Sequence, residues 1–212
     1  MLGVPLGHHR FGVAALKEKR SKVAEVTALL SHLKDPHVEF SLQRSCLSLG
    51  KIMHLLRAVE TINHLVALAK FNTITGVGLG RILGVGIPEQ QWHQAKLLVT
   101  LGSMGLQEAE DHALAAFAAS FLSSQPMVRA MLDTPENQPD ATLPPAILTF
   151  PTTTMGKEEA VTQKAITGLT QKKLSAKVNL ANQCLLFSQT MEAADEHEVA
   201  RLASVSLPHA GS

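Results

Sequence analysis

Residues 91–120, QWHQAKLLVTLGSMGLQEAEDHALAAFAAS, constrain this chain more than any other stretch. Ala109, Ala113, Ala116 and Ser120 recur at spacings of four, three and four, which puts small side chains on one face of a helix. Such a face lets a second helix approach closely, so the stretch predicts a packed helical scaffold and carries no chemistry of its own. Ahead of it stand the single tryptophan, Trp92, an apolar run over 97–101 and a Gly-Ser-Met-Gly turn at 102–105.

Composition points the same way. With aromatic content of 4% and no tyrosine, a core has to be built from Leu, Val, Ile and Ala, which favours helices over sheets. A length of 212 residues suits one domain with a real core, or a domain plus an appendage. The net charge of +1 conceals an asymmetry: residues 1–60 carry nine Lys/Arg against five Asp/Glu, and 107–162 carry two against eight. A basic front can meet nucleic acid, although ordinary solvated helix faces account for the same charges. Cys46 and Cys184 lie far apart in apolar helical patterns and read as buried small hydrophobes in a reducing compartment. No apolar run reaches the roughly 18 residues of a membrane span, and no secretory leader stands at the start. The expectation is a soluble intracellular protein, cytoplasmic or nuclear, without a membrane partner.

In chain order, MLGVPLG over 1–7 fits a strand end. It has no partner strand nearby. From 12 to 33 the pattern is helical, with Val13, Leu16, Val23, Thr27 and Leu30 on one stripe and Glu18 four residues before Lys22 on the outer side. Asp35-Pro36 ends this helix and starts the next, with Asp35 as N-cap and Pro36 in the first turn. That second helix, predicted over 36–57, has the tightest stripe in the chain: Leu42, Cys46, Leu49, Met53 and Leu56. Arg44 and Lys51 fall together on its far side, and the pattern predicts a central helix.

A third helix is predicted over 61–83, where Leu65, Leu68, Phe71, Ile74 and Val77 drift around the axis instead of holding one face. Glycines at 76, 78, 80, 84 and 86 crowd its end. Their spacing matches neither a dinucleotide fingerprint nor a nucleotide-triphosphate loop, so a kinked or flexible helix end is expected. A short helix over 88–95 carries Trp92, and the alanine helix runs over 107–123. Residues 133–156, rich in Pro and Thr, read as a disordered linker or mobile loop. Helical pattern resumes over 157–178, and a polar helix closes the chain over 193–205.

Sites of chemistry are hard to find. Ten histidines supply no close metal-binding pair, and Glu108, Glu110 and Asp111 are explained by the positive end of the helix they open. Cys184 and His197 have nothing to hold them in register as nucleophile and base. The residues therefore predict no catalytic site, no metal, no cofactor and no small-molecule ligand.

Several segments carry a family likeness. LGVPLG at 2–7 looks like the LG motif that follows the catalytic aspartates in reverse transcriptases of non-LTR retrotransposons. LQRSCLSLGKIMHLLRA at 42–58 resembles the thumb helix of those enzymes, with Arg44 and Lys51 at the family's basic positions. Residues 91–120 resemble the segment that reads W-x-Q-A, L-P, G-G-x-G-L and then an alanine-rich helix. TQKKLSAKV at 170–178 and RLASVSLPHAGS at 201–212 look like the downstream region. Leu97-Leu98 stands where the family has Leu-Pro, and Ser103 replaces a glycine.

The resemblance implies a mainly α, irregular helical bundle: a palm-strand remnant at 1–10, a helical thumb-like domain at 11–132, the loop at 133–156 and an incomplete helical segment at 157–212. It also implies that the finger and palm core, with its aspartate pair, lies before Met1, so the chain would be a non-catalytic fragment of an RNA-directed DNA polymerase. Its thumb would hold the backbone of an RNA-DNA or DNA duplex, weakly and without sequence preference, through Arg44, Lys51, Lys17 and Lys22. A helical protein-interaction module, or a nonfunctional retroelement remnant, is the competing expectation.

Overall fold

A computed structural model describes residues 9–60, 64–132, 170–192 and 196–205. These form a mainly α, irregular helical bundle with no strand among the described residues. Helix α1 spans His9–Leu30, α2 Pro36–Leu42, α3 Met53–Ala58, α4 Leu65–Leu83, α5 Glu89–Ala95, α6 Ala109–Met131, α7 Gln171–Glu192 and α8 Glu196–Val205. Of the expected strand remnant, residues 1–8 lie outside the described residues, while His9 and Arg10 already belong to α1. The Pro/Thr-rich stretch 133–156 also lies outside them.

Helix α1 buries Leu16, Val23, Thr27 and Leu30 as its spacing predicts. Val13 is displaced to the surface because Gly12 takes the close contact instead: a Cβ there would stand 2.6 Å from Val59 Cγ1. Asp35 caps α2, its carboxylate accepting from the amides of His37 and Val38 at 3.0 and 3.2 Å, with Pro36 at the first position.

The predicted helix over 36–57 is the main correction. It breaks into α2, a π-turn at Gln43–Leu47, a 3₁₀ turn at Leu49–Lys51 and α3. Ser48 leaves the helical region at φ −90°, ψ −149°, and its hydroxyl donates to the Arg44 carbonyl at 2.6 Å. Serine competes for backbone partners in this way, and Ser45, Ser48 and Gly50 together make a weak helical run. A π-turn admits one extra residue per turn, so the apolar phase rotates across the break. Gln43, Leu47, Leu49, Ile52, Leu55 and Leu56 are buried, while Leu42 and Cys46 are exposed and Met53 is only partly covered. Cys184 is exposed too; neither thiol serves as a core residue.

In α4 the ambiguous phase resolves onto Leu68, Phe71, Asn72, Thr75, Gly78 and Leu79, with Leu65 and Val77 outside. Gly78 is buried for a steric reason: a Cβ would meet Gln43 Nε2 at 2.7 Å and Thr27 Cγ2 at 2.8 Å. The Gln43 side chain uses that space to donate to the Thr75 carbonyl at 2.6 Å. The helix ends cleanly. Gly84 adopts φ 70°, and the amides of Gly84 and Val85 return to the Arg81 and Gly80 carbonyls at 3.2 and 3.0 Å, a glycine-terminated cap that satisfies two terminal acceptors.

The centre of the bundle is α6. Ala109, Ala113 and Ala116 join the main core with Leu16, Val23, Leu55, Leu56, Leu68 and Phe71, while Ala115, Ala118 and Ala119 pack against Leu174 and Val178 of α7. Small side chains on two faces thus admit α3 and α4 on one side and α7 on another. The helix runs past its predicted end at 123 through the exposed Pro126 to Met131. Helix α7 is also longer than predicted, reaching Glu192; of the expected 157–178 helix, residues 157–169 fall outside the described residues.

Candidate functional site

Two polar regions stand out. The first contains the residues marked for backbone contact. Arg44 lies in the π-turn with its guanidinium carbon 5.8 Å from the Phe40 ring centre, and its stem rests against the loop at Gly105. Lys51 is exposed on the far side of the Ser48 break. The seven-residue spacing that put them on one helical face does not apply, because no single helix joins them. Lys17 and Lys22 are both exposed on α1, but five residues turn a helix by about 140° away from alignment. Lys22 is moreover paired with Glu18 at 2.6 Å, which raises the lysine's pKa and lowers the carboxylate's through their hydrogen bond and charge.

What the structure brings together is Lys51 with Lys19 and His54. The partly buried His54 imidazole has its pKa lowered, first by burial and then by the charges of Lys19 and Lys51. This joins α1 to the start of α3. Lys19 carried no signal in the sequence, because its neighbour across the bundle is set by the break at Ser48.

The second region surrounds the start of α6. Lys96 is 8% exposed, and its ammonium donates to Glu108 Oε2 at 2.7 Å and Asp111 Oδ2 at 3.1 Å. Trp92 Nε1 donates to Glu108 Oε1 at 2.6 Å, and Asn182 Nδ2 to Asp111 Oδ2 at 2.7 Å. Asn72 accepts from the Ala109 amide at 2.9 Å and donates to Glu110 at 2.9 Å. Burial works against the Lys96 charge, but hydrogen bonds and charge from Glu108 and Asp111 outweigh it and raise the pKa. Burial raises Glu110 against the opposing bond from Asn72, and burial lowers the pKa of His112.

Each carboxylate here is engaged, so the region is a tie between α4, α5, α6 and α7. Sequence reasoning assigned Glu108, Glu110 and Asp111 to the helix dipole alone and missed Lys96, Asn72 and Asn182. A signal existed for Lys96: it is the only charge between Glu89 and Glu108, and such a lysine, if buried, needs a carboxylate. Among the described residues no group of three or more His, Cys, Asp and Glu stands together to hold a metal, and no described helix is long and apolar enough to cross a membrane. No family model, curated protein or solved structure matches the chain.

Proposed function

We propose that the chain is a non-catalytic, thumb-like helical scaffold that contacts the sugar-phosphate backbone of a nucleic-acid duplex. The observation that carries this reading is that Lys19 and Lys51 both lie close enough to His54 for their charges to act on it, while the cation at the start of α6, Lys96, is paired with Glu108 and Asp111. The likeness of 42–58 and 91–120 to non-LTR retrotransposon reverse transcriptases supports it. On this reading Lys51 keeps its role, Lys19 and His54 join it, and Arg44, Lys17 and Lys22 stand apart.

Backbone contact is electrostatic and indifferent to sequence, so binding to RNA-DNA or DNA duplexes should be weak at physiological salt. Each phosphate neutralised contributes roughly one unit to the slope of log affinity against log salt. Replacing Lys19 and Lys51 together by alanine is expected to flatten that slope by about two while the helical circular dichroism stays unchanged. A double variant with the wild-type slope would favour the second reading, a helical interaction module. The half-exposed Leu29, Leu33 and Val38 at the α1–α2 corner are the observation on that side.

A further inference from the structure

Helix α7 buries one face. Leu174 and Val178 pack on Ala115, Ala118 and Ala119 of α6, and Leu186 closes on Leu97. The opposite face is not the polar surface that a solvated helix side presents. Leu180 and Met191 stand 59% and 63% exposed on it, with the exposed thiol of Cys184 between them. Around the helix axis, Cys184 and Met191 lie within about 40° of Leu180, and Lys177 within about 60°. Partly buried Phe187 borders the same strip. Isolated exposed aliphatics are ordinary, but these positions recur at alternating spacings of three and four, which is the seam one helix offers another.

The charges say which helix. Lys172, Lys173 and Lys177 are the charged residues in the first half of α7, and Glu192 is the one in its last half. This is the reverse of what the helix's own dipole favours, acid at the start and base at the end. No ion pair among the described residues takes up any of the four. A second α7 laid antiparallel answers both points: the lysines fall beside the negative end of the other helix, and Lys177 comes next to Glu192 of the second copy. A parallel pairing would set lysine against lysine. The strip is also nearly symmetric about its middle, with Lys177 and Met191 seven residues either side of Cys184, Leu180 four before it and Phe187 three after.

We infer that this face of α7 is the contact surface for a second copy of the chain, the two helices packing antiparallel about a two-fold axis at Cys184. Such a contact is self-complementary and closes at two copies. None of Lys19, Lys51 and His54 belongs to α7, so this inference and the nucleic-acid reading stand or fall separately. The strip is short for a permanent interface, and the dimer is expected to be transient, in the micromolar range.

Sedimentation equilibrium of the full chain under reducing conditions is expected to show a reversible monomer–dimer equilibrium. Leu180→Glu and Met191→Glu should each weaken it about tenfold or more with the helical circular dichroism unchanged; if one variant misfolds, the other reads the same face. The charges test the orientation. Lys177→Glu and Glu192→Lys should each weaken the dimer about two- to tenfold, and the two together should restore it. In a Cys46→Ser background, a short bis-maleimide should join two chains through Cys184, and Leu180→Glu should suppress the cross-link. A chain that stays monomeric at every concentration, association that runs past two copies, association indifferent to both Leu180→Glu and Met191→Glu, or a double charge swap no better than its single variants would each overturn the assignment.

Discussion

The alanine helix α6 and the leucine-rich segment 36–58 exchange the roles their patterns assign. The segment with the sharper apolar stripe is broken in the structure and exposes Leu42 and Cys46. The helix with the smaller side chains is continuous and lies at the centre. A stripe of large residues says that one face will be covered. A helix made of small residues says how many neighbours can come close, and α6 accepts α3, α4 and α7 because methyl groups leave them room. Centrality in this bundle is a steric property before it is a hydrophobic one.

The largest test of that comparison removes the charge that ties the start of α6. Lys96→Met keeps the length of the side chain but leaves Glu108 and Asp111 facing one another without a cation, and it is expected to cost about 3 kcal/mol or more in denaturant unfolding. A loss under about 1 kcal/mol would mean that Trp92 and Asn182 hold the carboxylates unaided. Next, Ala116→Leu adds three heavy atoms where the side chain is 0% exposed and should cost about 1–3 kcal/mol by overpacking. If α6 tolerates it without loss, close approach is not what the alanines provide. The smallest effect contrasts two glycines of α4. Gly78→Ala would drive Cβ into Gln43 and Thr27 at 2.7–2.8 Å and should destabilise. Gly76→Ala meets only the Trp92 ring at 3.8 Å and should gain about 0.5–1 kcal/mol from the lower entropy of the unfolded chain. Thermal melts giving the two substitutions the same sign would break the account of the Gln43 junction.

Much of the bundle was legible in advance. The α1 stripe, the Asp35-Pro36 boundary, the short helix of Trp92 and the alanine helix all follow from local rules that need no knowledge of neighbours. The failures share one cause. Spacing alone reads Ser48 as a helical position, and the break beside it goes together with Gln43 fitting against Gly78, a contact 35 residues apart in sequence. Helix α7 runs on past the predicted end at 178, where its Asn179 and Asn182 amides meet Gln107 and Asp111 of the α6 segment. Of the candidate interface, exposure of Arg44, Lys51, Lys17 and Lys22 could be read from spacing, but grouping could not, since grouping depends on the Ser48 break.

The cap on α6 has a bearing on the order in which the molecule assembles. No side chain within its own first turn receives the leading amide; the acceptor is Asn72, on α4 and 37 residues earlier. Starting a helix is the unfavourable step of its formation, and here the group that eases it arrives only when α4 has docked. The first turn of the alanine helix is therefore secured by a distant partner, and that bond requires the loop between α4 and α6 to be closed. Local propensity and long-range topology therefore meet at one carboxamide, that of Asn72.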